Sequence, residues 1–227
     1  MIKVENIDVW GFEHAIRGMR NPLNSWDKSD SIQYDDPNYY FEIGENDLDL
    51  MRRLYKAGTE HRKYLRQIFV SMDITAPLYW WKEMDQYRIN VTTNSCSTMH
   101  KIAAKEFTLD DFSHEHLLFD GKRTLLNIIG DLNRWRRIYL NGDIFAPHNS
   151  NVVEKVEPKD KRIWWQLIQL LPSSYNQKRT ITMNYENVVT IIKQRRNHKL
   201  DEWRTLVNVF YWNLPYIEEI VDDGNEA

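Results

Sequence analysis

Cysteine is nearly absent, with Cys96 alone in 227 residues. A single thiol cannot close an intramolecular disulfide or build a multi-cysteine metal site, and it fits a reducing compartment. Glycine is scarce too. None of the eight glycines falls into G-x-G-x-x-G or G-x-x-x-x-G-K-[ST] spacing, so the usual backbone cradles for dinucleotides and triphosphates are missing. Any phosphate must then be held mainly by side chains. No apolar run approaches the roughly 20 residues of a membrane span; Ile74 to Trp81 is interrupted by Thr75 and Pro77. The opening ten residues alternate charged and apolar side chains and show no secretory h-region. We therefore expect a cytoplasmic chain with no membrane partner. Neither sign of charge dominates: 30 Lys+Arg against 33 Asp+Glu leave a net charge of −3, which argues against a nucleic-acid partner held by bulk positive charge.

What is present is apolar and aromatic. Hydrophobic residues at 42% and aromatics at 13% place the chain well inside the globular class, and its length suits one domain spanning 1–227. Ile2 to Val9 reads as a β-like opening and Phe12 to Met19 as a short helix; the polar stretch Asn24 to Asp36 reads as a solvated surface loop. Leu48, Met51, Leu54 and Tyr55 fall at helical spacing, which predicts a helix capped by Asn46 or Asp47 and continuing to Arg66. Ile68, Val70, Met72 and Ile74 alternate with more polar neighbours, the clearest strand pattern in the chain. Pro77 then opens a helix to about Arg88, followed by a polar loop over Ile89 to Thr98. Further helices are predicted over Phe112 to Phe119, Leu125 to Leu140 (stopped by Asn141-Gly142), Lys159 to Leu171, Asn184 to Arg196 and Leu200 to Val221. Asp143 to Pro158 reads as loop and Arg179 to Met183 as a second strand. The sum is an α/β (α+β) fold with a small sheet and several helices.

Two clusters carry chemistry. Gln86, Tyr87 and Arg88 precede a run with Asn94, Ser95, Ser97 and His100. A guanidinium beside short hydrogen-bonding side chains suits a phosphate or the polar edge of a heterocycle, and equally suits a capped surface turn. The second cluster holds Asn184, Gln194, Arg195, Arg196, His198, Glu202 and Arg204. Arg195 follows Asn184 by about three helical turns, so both can project from one face. It reads either as an anion site or as a basic helix end that complements the dipole. His61, His114 and His116 lack a second pair at metal spacing, so no metal is expected. Cys96 reads as inert rather than as a nucleophile. Trp80-Trp81 and Trp164-Trp165 read as core or subunit-interface groups.

In this order the pieces resemble the flavin-dependent thymidylate synthases, the thymidylate-synthase-complementing family, over residues 46 to 220. A helix runs into Gly58-Thr59-Glu60-His61 and the strand RQIFVSMDI. Ala76-Pro77 starts a helix ending in Gln86-Tyr87-Arg88, before INVTTNSCSTMH. Leu171-Pro172 precedes a strand, Asn184, Arg195 and Glu202-Trp203-Arg204. The middle stretch resembles a degenerate form of the signature Arg-His-Arg, two residues, Ser, any, Asn, Glu, any, Ser, any, Arg, Tyr. Arg88 keeps the last arginine of the triplet, while Gln86 and Tyr87 hold its first two positions. With a one-residue insertion Asn94 and Ser97 match, whereas Ser95, Met99 and His100 replace Glu, Arg and Tyr.

The resemblance implies a homotetramer that binds FAD where subunits meet and methylates dUMP with methylenetetrahydrofolate, the flavin being recharged by NADPH. It also implies roles for residues. Gln86, Tyr87, Arg88, Asn94, Asn184 and His198 would serve the cofactor, and Ser95, Ser97 and Arg195 the nucleotide. Arg195 would be the catalytic group, polarising the uracil carbonyl as negative charge develops. The replaced signature residues keep two other readings open: a homologue that binds nucleotide or flavin without turnover, and an oligomeric structural or interaction protein.

Overall fold

The computed structural model describes residues 2–34, 41–145 and 154–221. In chain order the strands are β1 (Lys3–Trp10), β2 (Phe69–Pro77), β3 (Thr92–Ser95), β4 (Asp143–Phe145), β5 (Glu154–Val156) and β6 (Asn176–Asn184). The helices are α1 (Phe12–Arg20), α2 (Glu45–Lys56), α3 (Leu78–Met84), α4 (Thr98–Lys101), α5 (Phe119–Asn141), α6 (Lys161–Leu170), α7 (Tyr185–Arg195), α8 (Asp201–Asn213) and α9 (Ile217–Val221). One sheet has the order β1-β2-β6-β3, and β4 pairs with β5 in a second. The described residues gather into two compact units, each assembled from separate stretches: a first unit of 75–86 and 95–179, and a second of 2–74, 87–94 and 180–221.

In the second unit the period of two in β2 does what the sequence predicts. Val70, Met72 and Ile74 are buried, while the other face carries Ser71 and Asp73. Thr182 Oγ1 donates to Ser71 Oγ at 3.2 Å and Thr180 Oγ1 to Asp73 Oδ1 at 2.6 Å. Numbers fall on one strand as they rise on the other, so β2 and β6 run antiparallel. Asn6 Nδ2 of β1 donates to Asp73 Oδ2 at 2.9 Å. Around these strands Phe12, Met19, Met51, Leu65, Val188, Ile192, Leu206 and Phe210 are buried.

Several boundaries differ from the sequence expectation, each for a physical reason. α2 is not a helix to Arg66: it ends at Lys56, and Gly58 at φ +111 turns the chain into a 3-10 turn over Lys63–Gln67. Neither Asn46 nor Asp47 caps it. Asp30, from the stretch read as solvated loop, accepts from Asn46 N at 3.0 Å and Asp47 N at 3.1 Å. Asp47 is itself fully buried, its side chain taking Arg20 Nε at 2.5 Å, Ser29 Oγ at 2.7 Å, Ser31 Oγ at 2.6 Å and the Asp30 N–H at 3.1 Å. The stretch Ser25 to Ser31 is thus a knot bonded to the helix start, not a free loop; positions 35 and 36 of the expected loop lie outside the described residues. Leu200 to Val221 is two helices, divided at Leu214-Pro215, where proline cannot continue the hydrogen-bond ladder.

Gly11 gives a test of this packing. Its φ of +98 and a hypothetical Cβ only 2.2 Å from the Gln67 carbonyl oxygen leave no room for a side chain. Gly11→Ala is expected to cost at least about 2 kcal/mol of stability through strain and collision. A denaturant melt that moves by less than a quarter of that would show that the α1 start tolerates a methyl group.

Within the first unit, α5 buries Leu125, Ile129 and Leu132 against Ile102, Phe107, Phe112 and Leu167. Leu126, the next residue along α5 after Leu125, is 50% exposed. Gly142 at φ +73 ends α5 where Asn141-Gly142 predicts. Trp80 and Trp81 are core, packed edge to face at 4.8 Å, whereas Trp165 is exposed. The expected helix over Phe112 to Phe119 is absent: Phe112 bridges to Tyr175 in extended backbone, and Ser113 N donates to the Ser174 carbonyl at 2.8 Å. The expected loop over Asp143 to Pro158 contains β4 and β5, paired with Asp143 opposite Val156; residues 146–153 lie outside the described ones. No helix among the described residues is long and apolar enough to cross a membrane.

Candidate functional site

α7 begins because Asn184 caps it. Asn187 N donates to Asn184 Oδ1 at 3.1 Å, and Asn184 N donates back to Asn187 Oδ1 at 3.4 Å, a reciprocal box that satisfies donors otherwise left open at a helix start. Val188, Val189, Ile191 and Ile192 bury one face of the helix. Arg195 leaves its last turn half-buried, where a cation complements the helix dipole.

The chain segment after Gln86 lies along this helix. Tyr87 sits near its C-terminal end, and the Ile89 carbonyl accepts from Asn187 Nδ2 at 2.9 Å near its N-terminal end. Tyr87 Oη accepts from Arg195 Nε at 2.9 Å and donates to Gln194 Oε1 at 2.8 Å. The Arg195 guanidinium carbon stands 4.6 Å from the centre of the Trp203 ring and 5.6 Å from that of Tyr87. Trp203 is completely buried, so the cation meets a desolvated aromatic face, where such contacts are worth most. His198 packs edge-on to Trp203 at 6.3 Å. Its Nδ1 accepts from Leu200 N at 3.2 Å, which puts the proton of the neutral ring on Nε2.

The structure therefore brings Tyr87, Arg195 and His198 together around Trp203. Arg88 is exposed between the two anchors of its segment, and Asn94 is exposed on β3. Asn184 is 2% exposed with its oxygen occupied by the cap. Gln86, Ser95 and Ser97 belong to the first unit. There Gln86 lies two residues past the end of α3, which stops at Met84 instead of reaching Arg88. Ser95 is exposed at the end of β3 in the stretch read as loop. Ser97 caps α4, accepting from His100 N at 3.2 Å. Cys96 is exposed, with its N–H donated to the Lys178 carbonyl at 2.9 Å.

Two residues of the site carried no role in the sequence reading, Trp203 and Asn187. Trp203 was visible only as one member of Glu202-Trp203-Arg204, and a tryptophan eight positions past Arg195 across a helix break has no periodicity to tie it there. Arg204, near the start of α8, ties down the connection from α7 instead: its Nη1 donates to the His198 carbonyl at 2.6 Å. A cavity of about 570 Å³ lies elsewhere in the second unit, walled by Arg17, Arg20, Trp26, Ser29 and Phe41. None of the sequence-derived site residues lines it. Among the described residues no three His, Cys, Asp or Glu side chains gather as metal ligands.

No protein-family model and no curated protein matches the chain. Among solved structures it is similar to the flavin-dependent thymidylate synthase of Helicobacter pylori complexed with FAD and dUMP, with a TM-score of 0.66 and 14% identity over 98% of each chain. A second structure of the Helicobacter pylori enzyme with FAD and dUMP gives 0.64 and 14%, covering 99% of this chain and 98% of that one. The chain carries this fold, a mixture of helices and a small sheet.

Proposed function

We propose that the chain is a divergent flavin-dependent thymidylate synthase that binds FAD and methylates dUMP with methylenetetrahydrofolate and NADPH. The observation that carries the reading is the Arg195 guanidinium held between Tyr87 and Trp203, on a fold whose solved neighbours include a synthase complexed with FAD and dUMP. The donors fit a flavin and a nucleotide. Arg88 offers an exposed guanidinium for phosphate oxygens, Asn94 an exposed amide, and His198 an Nε2 proton; Arg195 offers a permanent positive charge to a carbonyl. Asn184 fits indirectly, since its cap starts the helix that carries Arg195.

Bound reduced flavin would supply the two reducing equivalents that complete the methyl group. The chain's own work is to orient and to stabilise charge. Arg195 stabilises negative charge that develops on the uracil carbonyl, a task that needs no proton transfer from a guanidinium. Arg88 holds phosphate, and Ser97 keeps α4 started just past the end of β3. A homotetramer is part of the reading; the exposed Leu118 and Phe119, and separately Trp212, are apolar groups of the kind subunit contacts cover.

The test is to add FAD to the purified protein, desalt it, record the visible spectrum and then assay tritium release from C5-labelled dUMP. Retained flavin with tritium release supports the synthase. Retained flavin without release assigns binding without turnover, and neither leaves the interaction-protein reading. Arg88→Ala is expected to weaken flavin binding at least about tenfold, equivalent to about 1.4 kcal/mol. An unaltered flavin titration would remove Arg88 from the site.

A further inference from the structure

The contact between Tyr87 and Arg195 does more than fill space. Attraction between a guanidinium and an aromatic face fixes how far the cation stands from the ring but constrains its in-plane rotation weakly. Trp203 at 4.6 Å therefore locates Arg195 without aiming it. A hydrogen bond from Nε lies in the guanidinium plane and is directional. Tyr87 Oη accepts that bond at 2.9 Å. The hydroxyl in turn has its own rotation set, because its proton is donated to Gln194 Oε1 at 2.8 Å, which turns an oxygen lone pair towards Arg195. Gln194, Tyr87 and Arg195 form a chain in which each member orients the next.

We propose that Tyr87 is a positioning residue whose hydroxyl aims the Arg195 guanidinium, so that any ligand contact from Arg195 is made by its Nη edge and with a set orientation. The ligand class this selects is a planar heterocycle with an in-plane carbonyl acceptor, of which uracil is one. Tyr87 then acts on the nucleotide through Arg195 and not by touching cofactor. This inference rests on the nucleotide-binding reading above and deepens it.

Calorimetric titration with dUMP, using the full chain loaded with FAD, tests it on the wild type, Tyr87→Phe, Arg195→Ala and the double variant. Tyr87→Phe keeps the ring and removes both hydrogen bonds. It is expected to weaken dUMP binding about tenfold, with its melting temperature held close to wild type. In the Arg195→Ala background the same change is expected to do nothing further, because Tyr87 has no guanidinium left to aim. Gln194→Ala is expected to weaken binding in the same direction by a smaller factor. If Tyr87→Phe binds dUMP as the wild type does, or if its loss persists in the double variant, Tyr87 does not work through Arg195 and the proposal falls. Failure of the wild type to bind dUMP would instead overturn the nucleotide-binding reading, and the proposal with it.

Discussion

Arg195→Ala is expected to slow tritium release from C5 of dUMP by about 10²–10³-fold, the usual loss when one charge-stabilising donor is removed from a preorganised site. The fold is expected to survive, because the helix carrying Arg195 is held by its Asn184 cap and by buried Val188, Ile191 and Ile192. Circular dichroism should show an unchanged helical signal and a melting temperature shifted by only a few degrees. A rate within twofold of wild type, with flavin retained, would take Arg195 out of the chemistry.

The other large effect concerns stability. Asp47→Asn is expected to destabilise the protein by about 3–5 kcal/mol, because it leaves the Arg20 guanidinium, 3% exposed, without its counter-charge. At about 2–4 °C per kcal/mol for a chain of this length, the melting temperature should drop by roughly 6–20 °C. Replacing both partners, as in Arg20→Met with Asp47→Leu, should recover much of the loss, since no buried charge is then stranded.

The pH dependence has a definite sign. Burial works against the Asp47 carboxylate, yet bonds from Ser31, Ser29 and Arg20 outweigh it and hold the group below its ordinary value. Its contribution is therefore complete above the unfolded value of about 3.9 and is lost as pH falls through the lower folded value. The gap between wild type and Asp47→Asn should close in acid below about pH 4. A gap of equal size at pH 7 and at pH 2.5, measured by urea titration, would show that Asp47 is not the ionised centre of this knot.

How much of this was legible in the sequence differs by element. β2 could be read because one face is buried and the other polar, so the alternation is forced. β3 could not: it stands last in the order β1-β2-β6-β3, all four of its residues are exposed, and an exposed edge has no apolar face to announce it. The α2 cap escaped because the acceptor, Asp30, lies 16 residues before the amide it binds. The helix over Phe112 to Phe119 was misread because Phe112 pairs with a distant Tyr175, a contact that no local period encodes. For the site, Tyr87 and Arg195 stand out in two separate polar clusters, and their roles come from the family resemblance. The bond joining them crosses 108 positions and belongs to no motif. Trp203 was missed as its platform because a buried tryptophan looks the same whether it packs on leucine or on a cation.

That separation also governs how the protein is born. Asp73 meets Thr180 across 107 positions and Ser71 meets Thr182 across 111, so most of the second unit waits on chain that is synthesised long after it. At roughly 5–20 residues per second, on the order of ten seconds separate the emergence of β2 from that of its partner. During that interval the apolar face of Val70, Met72 and Ile74 is unpaired on the ribosome. The prolonged exposure makes nascent β2 a natural client for holding chaperones and predicts that fragments ending before residue 180 aggregate, whereas the complete chain folds in a late, concerted step.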